Sequence, residues 1–199
     1  MGIIIGILEQ GMIYAIMALG VYITYKILDF PDMTVDGSFP LGAAITVMLL
    51  TNTENQFINT ITLGFNPYLI SFYAFLTGGI AGLLTGIINV KFKVRDLFSG
   101  IITMTGLYSI NLRIAGRANV PIFNLDTIFD NTTINSIFSG DISSYKVVII
   151  ASFIAAIVLI ILGWFLSTEA GYLIKAAGNN PTFVKSLGIN SGNVKIIGL

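Results

Sequence analysis

Five apolar stretches alternate with polar segments along the chain. A membrane-crossing helix needs about 20 mostly apolar residues, and four of the five stretches come close to or exceed that length. The second is too short to cross alone. The pattern predicts an all-α fold, a polytopic transmembrane helix bundle with an interrupted second helix. The stretches are Gly2–Leu28, Ser38–Leu50, Tyr68–Val90, Leu97–Ala115 and Val147–Leu166.

Composition strengthens this interpretation. Of the 199 residues, 55% are hydrophobic and only 10% are charged, whereas soluble domains carry about 25% charged residues. The lipid bilayer is therefore the expected environment. With no cysteine, no histidine and a net charge of zero, the chain offers no thiol or imidazole chemistry and no basic patch for nucleic acid. No phosphate-binding loop of the P-loop type is present either.

Charge distribution predicts the orientation in the membrane. Two segments, 91–96 and 168–195, hold six of the ten Lys and Arg residues. By the positive-inside rule these segments lie in the cytoplasm. The polar connections 51–66 and 117–145 then lie outside, and the N-terminus lies at or near the outer face.

The segment 29–43 interrupts the membrane pattern with three carboxylates and two prolines. Pro31 and Pro40 are expected to forbid a regular helix through it. Irregular backbone at membrane depth is tolerated where it is buried in protein or lines a watery cavity, and acidic groups there mark pathways or ion pairs. An ordinary cytoplasmic turn with solvated carboxylates is the alternative. The candidates for a translocation pathway are Asp32, Asp36, Gly37 and Ser38.

A second unusual segment, 168–190, follows the most apolar stretch. Thr168 is expected to cap a short helix that Gly178 ends, and Asn180 to cap another that begins at Pro181. Phe183, Val184 and Leu187 form an apolar stripe closed by Gly188. Such a helix pair has no core of its own, so it packs on the membrane domain or on a partner. An ordinary surface loop is the alternative.

Two further features concern packing and chain length. Gly78, Gly82 and Gly86 recur every four residues, a spacing that predicts one helix face for close packing. Ser191 is a plausible cap for a final helix. The apolar run after it, 196–199, is only four residues long, which indicates the N-terminal part of a longer chain.

Four local patterns together resemble one family. They are the opening helix 11–20 (GMIYAIMALG), the turn 34–43 leading into Leu41-Gly42-Ala43, the GLLTGIIN run 82–89 followed by Val94 and 101–105, and the segment 171–189. Their order and spacing are similar to those of permease subunits of ATP-binding-cassette importers, in the branched-chain amino acid and simple-sugar superfamily. Lys175 and Val184 depart from the Arg and Ala common in that family. Members of that family are longer than this chain, which agrees with the shortness of its final apolar run.

The resemblance implies a single permease domain over 1–199 that moves a small polar solute, an amino acid or related compound, inward by alternating access. The sequence around 30–39 is similar to a subgroup linked to aromatic amino acids. The resemblance also implies the bacterial cytoplasmic membrane as location and three protein partners: a cassette ATPase, an extracytoplasmic solute-binding protein and a second permease subunit. ATP and Mg²⁺ would be bound by the ATPase, which leaves this chain with no cofactor and no enzymatic activity. ATPase-docking residues implied by the family's coupling helices are Lys175, Gly178, Asn179, Asn180, Pro181, Phe183, Val184, Leu187 and Gly188.

A different class of protein also fits part of the pattern. An ion-coupled secondary transporter or a channel would use the same broken helix, with Asp29, Asp32 and Asp36 as ion sites. The segment 168–189 discriminates between the two, because only a cassette importer needs a docking helix.

Overall fold

The computed structural model describes residues 2–51, 60, 62, 66–117, 119–120, 127–129 and 145–199. Eight α-helices follow one another in these ranges, and no β-strand occurs there, so the prediction of an all-α helix bundle is confirmed. The helices are α1 (Gly2–Val21, continued by a π-helical segment Tyr22–Ile27), α2 (Val35–Thr51), α3 (Pro67–Phe92), α4 (Asp96–Ala115), α5 (Lys146–Leu166), α6 (Glu169–Asn179), α7 (Pro181–Ser186) and α8 (Ser191–Gly198). Most of the two polar connections, 51–66 and 117–145, lies outside the described residues.

Three of the described helices are long and apolar enough to cross a membrane: α1 with its π-helical continuation, α3 and α5. α2 is a shorter apolar helix of 17 residues. α4 also has 20 residues, but it is more polar than these three helices and is not among them. Its Ser99, Thr103 and Asn111 are buried, so its polar groups face protein while Phe98, Ile102 and Tyr108 remain exposed.

The chain divides into two compact units. One unit comprises Met1–Asp29 and Asp126–Ile189, and in it α1 packs on α5 while α6 packs on the π-helical segment. The other comprises Phe30–Leu125 and Asn190–Leu199, and in it α2 packs on both α3 and α4 while α8 packs on α3. The apolar centre of this second unit is formed by Leu41, Ala81 and Leu107, with Ile45 and Ile114 beside them.

The non-helical segment before α2 enters the second unit well inside the span of its neighbours. The Thr34 hydroxyl contacts the Thr85 hydroxyl at 2.6 Å. At a rise of about 1.5 Å per residue, Thr85 lies about 11 Å from the C-terminal end of α3. Gly37 faces Met104, where an added Cβ would lie 3.0 Å from the Met104 Cα. That position is about 12 Å into α4. The start of α2 is therefore level with the middle of α4.

The interruption is shorter than the two prolines predict. Pro31 lies in non-helical backbone, but Pro40 lies inside α2, so the expectation that Pro40 excludes helix is wrong. A proline frees the carbonyl four residues earlier, which here belongs to Asp36 in the first turn. In membrane helices, neighbouring groups compensate for such a loss. The Gly37 carbonyl, which Pro40 does not free, accepts an additional hydrogen bond from Asn111 Nδ2 at 3.0 Å.

Two predicted helix boundaries are also wrong. α6 does not end at Gly178 but continues through Asn179. Glycine is needed there for another reason, because an added Cβ would overlap the Ile27 carbonyl oxygen and lie 3.0 Å from the Leu28 Cα. The cap of α8 is Asn190, whose Oδ1 accepts from the Gly192 N–H at 2.9 Å, while Ser191 is buried as the first helical residue.

The three glycines of α3 that recur every four residues, Gly78, Gly82 and Gly86, have different surroundings. An added Cβ at Gly82 would meet the Leu199 carbonyl oxygen at 2.5 Å, and one at Gly86 would meet the Ile196 Cα at 3.1 Å. These two positions let the end of the chain approach the α3 backbone closely. A Cβ at Gly78 would meet no described atom within 4 Å, so the four-residue spacing does not give this glycine the same contact.

Candidate functional site

A cavity of about 440 Å³ lies in the second unit, between α2 and α4. α2 contributes residues from Asp36 to Val47, and α4 contributes residues from Met104 to Ala115. Both stretches cover 11 helical steps, so the cavity is about 16 Å long. Its volume falls within the range of about 300–1,000 Å³ that is typical of small-molecule sites.

The cavity includes two of the four predicted pathway residues. Asp36 and Gly37 line it, whereas Asp32 and Ser38 do not. The Asp32 carboxylate instead accepts a hydrogen bond from the Thr34 N–H at 2.8 Å, an arrangement that fixes the turn before α2. Asp36 lies in the first turn of α2, where the helix dipole favours a negative charge.

Sequence reasoning missed the α4 side of this cavity. Asn111, Tyr108 and Thr105 line it, and Arg117 lies just beyond the end of α4. Asn111 is 8% exposed, and its Oδ1 is buried without a hydrogen-bond partner among the described residues. The polar Asn111 within the apolar stretch 97–115 is the sequence feature that indicates the α4 wall of the cavity.

A second polar cluster joins α8 to the connection between α3 and α4. Lys195 Nζ contacts the two Asp96 carboxylate oxygens at 3.1 and 3.3 Å. Asn89 Nδ2 donates to the same carboxylate at 2.6 Å and to the Val94 carbonyl at 2.8 Å. Lys195 Nζ also lies 5.7 Å from the centroid of the buried Phe30 ring. The cluster fixes the α3–α4 turn, the start of the interruption and α8 relative to one another.

The predicted docking segment folds as two short helices. Thr168 caps α6 by accepting from the Gly171 N–H. Asn180 Oδ1 accepts from the Thr182 and Phe183 N–H groups at 3.1 Å, with Pro181 at the first helical position of α7. Gly188 adopts a left-handed φ of 79° and follows the last turn. These capping residues behave as their sequence positions predict.

The predicted apolar stripe of α7 is divided between two environments. Val184 is 0% exposed, whereas Phe183 is 54% and Leu187 is 58% exposed. Val184 therefore fixes α7 within its own unit. Phe183 and Leu187 present apolar surface outward, and the neighbouring docking candidates Asn179, Asn180, Pro181 and Gly188 are exposed with them.

Lys175 is engaged within its own unit. Its ammonium donates to the Leu166 carbonyl at 2.9 Å, at the end of α5, and lies 5.3 Å from the centroid of the Tyr172 ring. A cation at a helix C-terminus is favoured by the helix dipole. Gly178 is half-buried against the end of the π-helical segment. These two docking candidates thus join α6 to α5 and to the continuation of α1.

The acidic residues of the interruption carry carboxylates, which are common ligands of metal ions. Within the described ranges, no group of three or more Asp, Glu, His or Cys side chains could hold a metal ion. Asp29 is exposed and has a left-handed φ of 54°.

Comparison with known proteins agrees with this architecture. Residues 3–199 match the family described as branched-chain amino acid transport system / permease component. The chain is 45% identical over 196 residues to the tyrosine transport system permease protein of Clostridioides difficile, covering 98% of this chain and 59% of that protein. It is 34% identical over 199 residues to an uncharacterized protein of Rickettsia prowazekii, covering 100% of this chain and 63% of that protein. No solved structure matches.

The chain spans about three-fifths of the length of these two relatives. The family match, however, extends over nearly all of its residues, and its long apolar helices are those of an integral membrane protein. The chain therefore belongs to the family of permease components of branched-chain amino acid transport systems, which is a family of transport components and not of enzymes.

Proposed function

We propose that this chain is the membrane-spanning permease subunit of an ATP-binding-cassette importer for an amino acid, with an aromatic amino acid such as tyrosine as the expected solute. The single observation that carries the proposal is the α6–α7 helix pair, which exposes Phe183 and Leu187 while Val184 is buried. The name of the relative from Clostridioides difficile supports the choice of solute.

In the proposed orientation, α6, α7 and the α3–α4 connection face the cytoplasm of a bacterial cell. A cassette ATPase binds ATP and Mg²⁺ and docks on the exposed apolar groups of α7. The connection of α6 to the ends of α1 and α5, through Gly178 and Lys175, transmits the movement of the docked ATPase to the helices that cross the membrane. An extracytoplasmic binding protein delivers the solute, and a second permease subunit completes the path.

The solute path passes the start of α2. Asp36 and Gly37 line the cavity there. The Asp32 carboxylate accepts from the Thr34 N–H in the adjoining turn, and the Ser38 N–H donates to the Thr34 carbonyl at the start of α2. The Gly37–Asn111 hydrogen bond joins this region to α4, so alternating access that moves the two helices relative to each other would have to break it.

A substitution at Phe183 tests the docking role. Burying about half of a Phe side chain is worth about 1–1.5 kcal/mol, so Phe183→Asp should weaken docking of the ATPase about tenfold. Phe183→Leu keeps an apolar group and serves as the matched control. The measurement is ATP-dependent uptake of labelled L-tyrosine into proteoliposomes that contain this chain with its proposed partners, the cassette ATPase among them.

We expect uptake and ATPase stimulation to fall in Phe183→Asp and to persist in Phe183→Leu. Uptake that needs a proton or sodium gradient and no ATP would instead identify an ion-coupled carrier. Equal activity of the two variants would show that α7 is not the docking helix.

A further inference from the structure

The cavity between α2 and α4 has chemically different parts. At the level of Gly37 its lining includes Asp36 and Asn111, with Tyr108 one turn earlier on α4. Along the rest of α2 its wall is apolar, formed by Pro40, Ala43, Ala44 and Val47. A ligand that fits both parts carries a hydrogen-bond donor at one end and an apolar body.

Asn111 shows which kind of polar group a ligand must bring to that end of the cavity. A backbone carbonyl only accepts hydrogen bonds, so the atom that faces the Gly37 oxygen at 3.0 Å is the Nδ2 donor. The remaining Oδ1 is an acceptor, buried and without a partner in the described part of the chain. Buried polar groups without a partner are rare in folded proteins, and this one needs a donor.

Asp36 adds a negative charge to the lining of the same cavity. It is the neighbour of Gly37 in sequence and is exposed, and among the described residues no cation lies within ion-pair distance of it. A carboxylate and an amide oxygen that line one cavity are both acceptors, and a single ammonium group has three donors to offer them. A charge-assisted hydrogen bond of this kind is about twice as strong as a neutral one.

We propose that this end of the cavity is the binding site for the ammonium group of an amino-acid solute, with Asp36 and Asn111 as its acceptors and the apolar wall of α2 against its side chain. This assignment rests on the proposed function, since it names the groups by which the permease selects its solute. It predicts that the ligand class is a primary ammonium compound with an apolar or aromatic body.

The absence of cysteine from the sequence allows a direct test. Ala43 is exposed and lines the cavity, so Ala43→Cys places one thiol in it. Ala156, exposed on α5 outside the cavity, gives the matched Ala156→Cys control. Each variant is reacted with a maleimide in native membranes, with L-tyrosine, with tyramine, or with 3-(4-hydroxyphenyl)propionate, which lacks the ammonium group.

L-tyrosine and tyramine should slow the labelling at position 43 and leave position 156 unaffected, while the propionate should not protect. Asp36→Asn in the Ala43→Cys background should raise the tyrosine concentration needed for protection about tenfold. Asp32→Asn is the matched control, because Asp32 does not line the cavity and asparagine keeps an acceptor for the Thr34 N–H. It should change nothing.

Three results would overturn the assignment: no protection at position 43, equal protection by the propionate, or equal effects of the two Asp variants. Uptake by the assembled importer separates this inference from the function on which it rests. Tyrosine uptake without protection at position 43 refutes only the binding site. Protection without ATP-driven uptake leaves the site in place and refutes the importer.

Discussion

The contact between α6 and the end of the first helix gives the sharpest prediction about stability. Gly178 packs directly on backbone, so that an added Cβ would overlap the Ile27 carbonyl oxygen and lie 3.0 Å from the Leu28 Cα. Neither atom belongs to a side chain that can rotate away. Leu28 and the neighbouring Ala177 are buried at this contact, so Gly178→Ala requires α6 to move outward by roughly 1 Å to reach normal separation.

Overpacking of this kind costs about 1–3 kcal/mol, and the better helix propensity of alanine returns up to about 1 kcal/mol. Gly178→Ala should therefore destabilise the protein by about 1–2 kcal/mol. The matched control is Gly163→Ala in α5, where an added Cβ meets no described atom within 4 Å. That variant should be neutral or more stable than the wild type.

The assay is thermal unfolding of the purified protein in detergent micelles, followed by the loss of the monodisperse peak on size exclusion. For a chain of this size, 1 kcal/mol corresponds to about 2–4 °C in Tm. Gly178→Ala should lower Tm by several degrees and Gly163→Ala should not. If Gly178→Ala matches or exceeds Gly163→Ala in Tm, the close approach of α6 to the π-helical segment is not present in the folded protein.

Two polar clusters of the second unit give further predictions. The Thr85 hydroxyl donates to the Ala81 carbonyl, so the Thr34 hydroxyl donates to the Thr85 oxygen. Thr85→Val leaves the buried Thr34 donor unpaired and should lower the free energy of unfolding by about 1–3 kcal/mol. Adding Thr34→Val should recover part of that loss, and a strictly additive double variant in the same thermal assay would contradict the pairing. Lys195→Met should cost under about 1 kcal/mol and less at high salt, because the ion pair is partly exposed. Asn89→Leu, which removes two hydrogen bonds, should cost more than Lys195→Met at every salt concentration, and the reverse order would show that the ion pair dominates the cluster.

The helices themselves could be predicted from the sequence because each depends on local information. Apolar stretches of spanning length locate α1, α3 and α5 to within a few residues. The Asn180–Pro181 pair marks the start of α7 because a side-chain cap and a proline at the first position both act within one turn. Pro40 misleads at the same local level, since a proline early in a helix frees only one carbonyl.

The cavity could be predicted only in part because its two walls come from distant segments. Asp36 stands out in the sequence as an acid next to an apolar stretch, but Asn111 hydrogen bonds a carbonyl 74 positions away. The Lys195–Asp96 pair joins residues 99 positions apart. Nothing in the local pattern around either residue indicates its partner, and only the packing of α2, α4 and α8 brings the groups together.

The most direct test of the importer assignment is a cross-link from α7. Because the chain has no cysteine, Leu187→Cys carries the only thiol, on an exposed position of the proposed docking surface. A short thiol-to-amine cross-linker is applied in native membranes, with Ile4→Cys at the exposed start of α1 as the control, and the product is identified by mass spectrometry. We expect a covalent adduct with a cassette ATPase from Leu187→Cys and none from Ile4→Cys. An ATPase adduct from both positions, or none from position 187 in membranes that import tyrosine with ATP, would contradict the importer assignment.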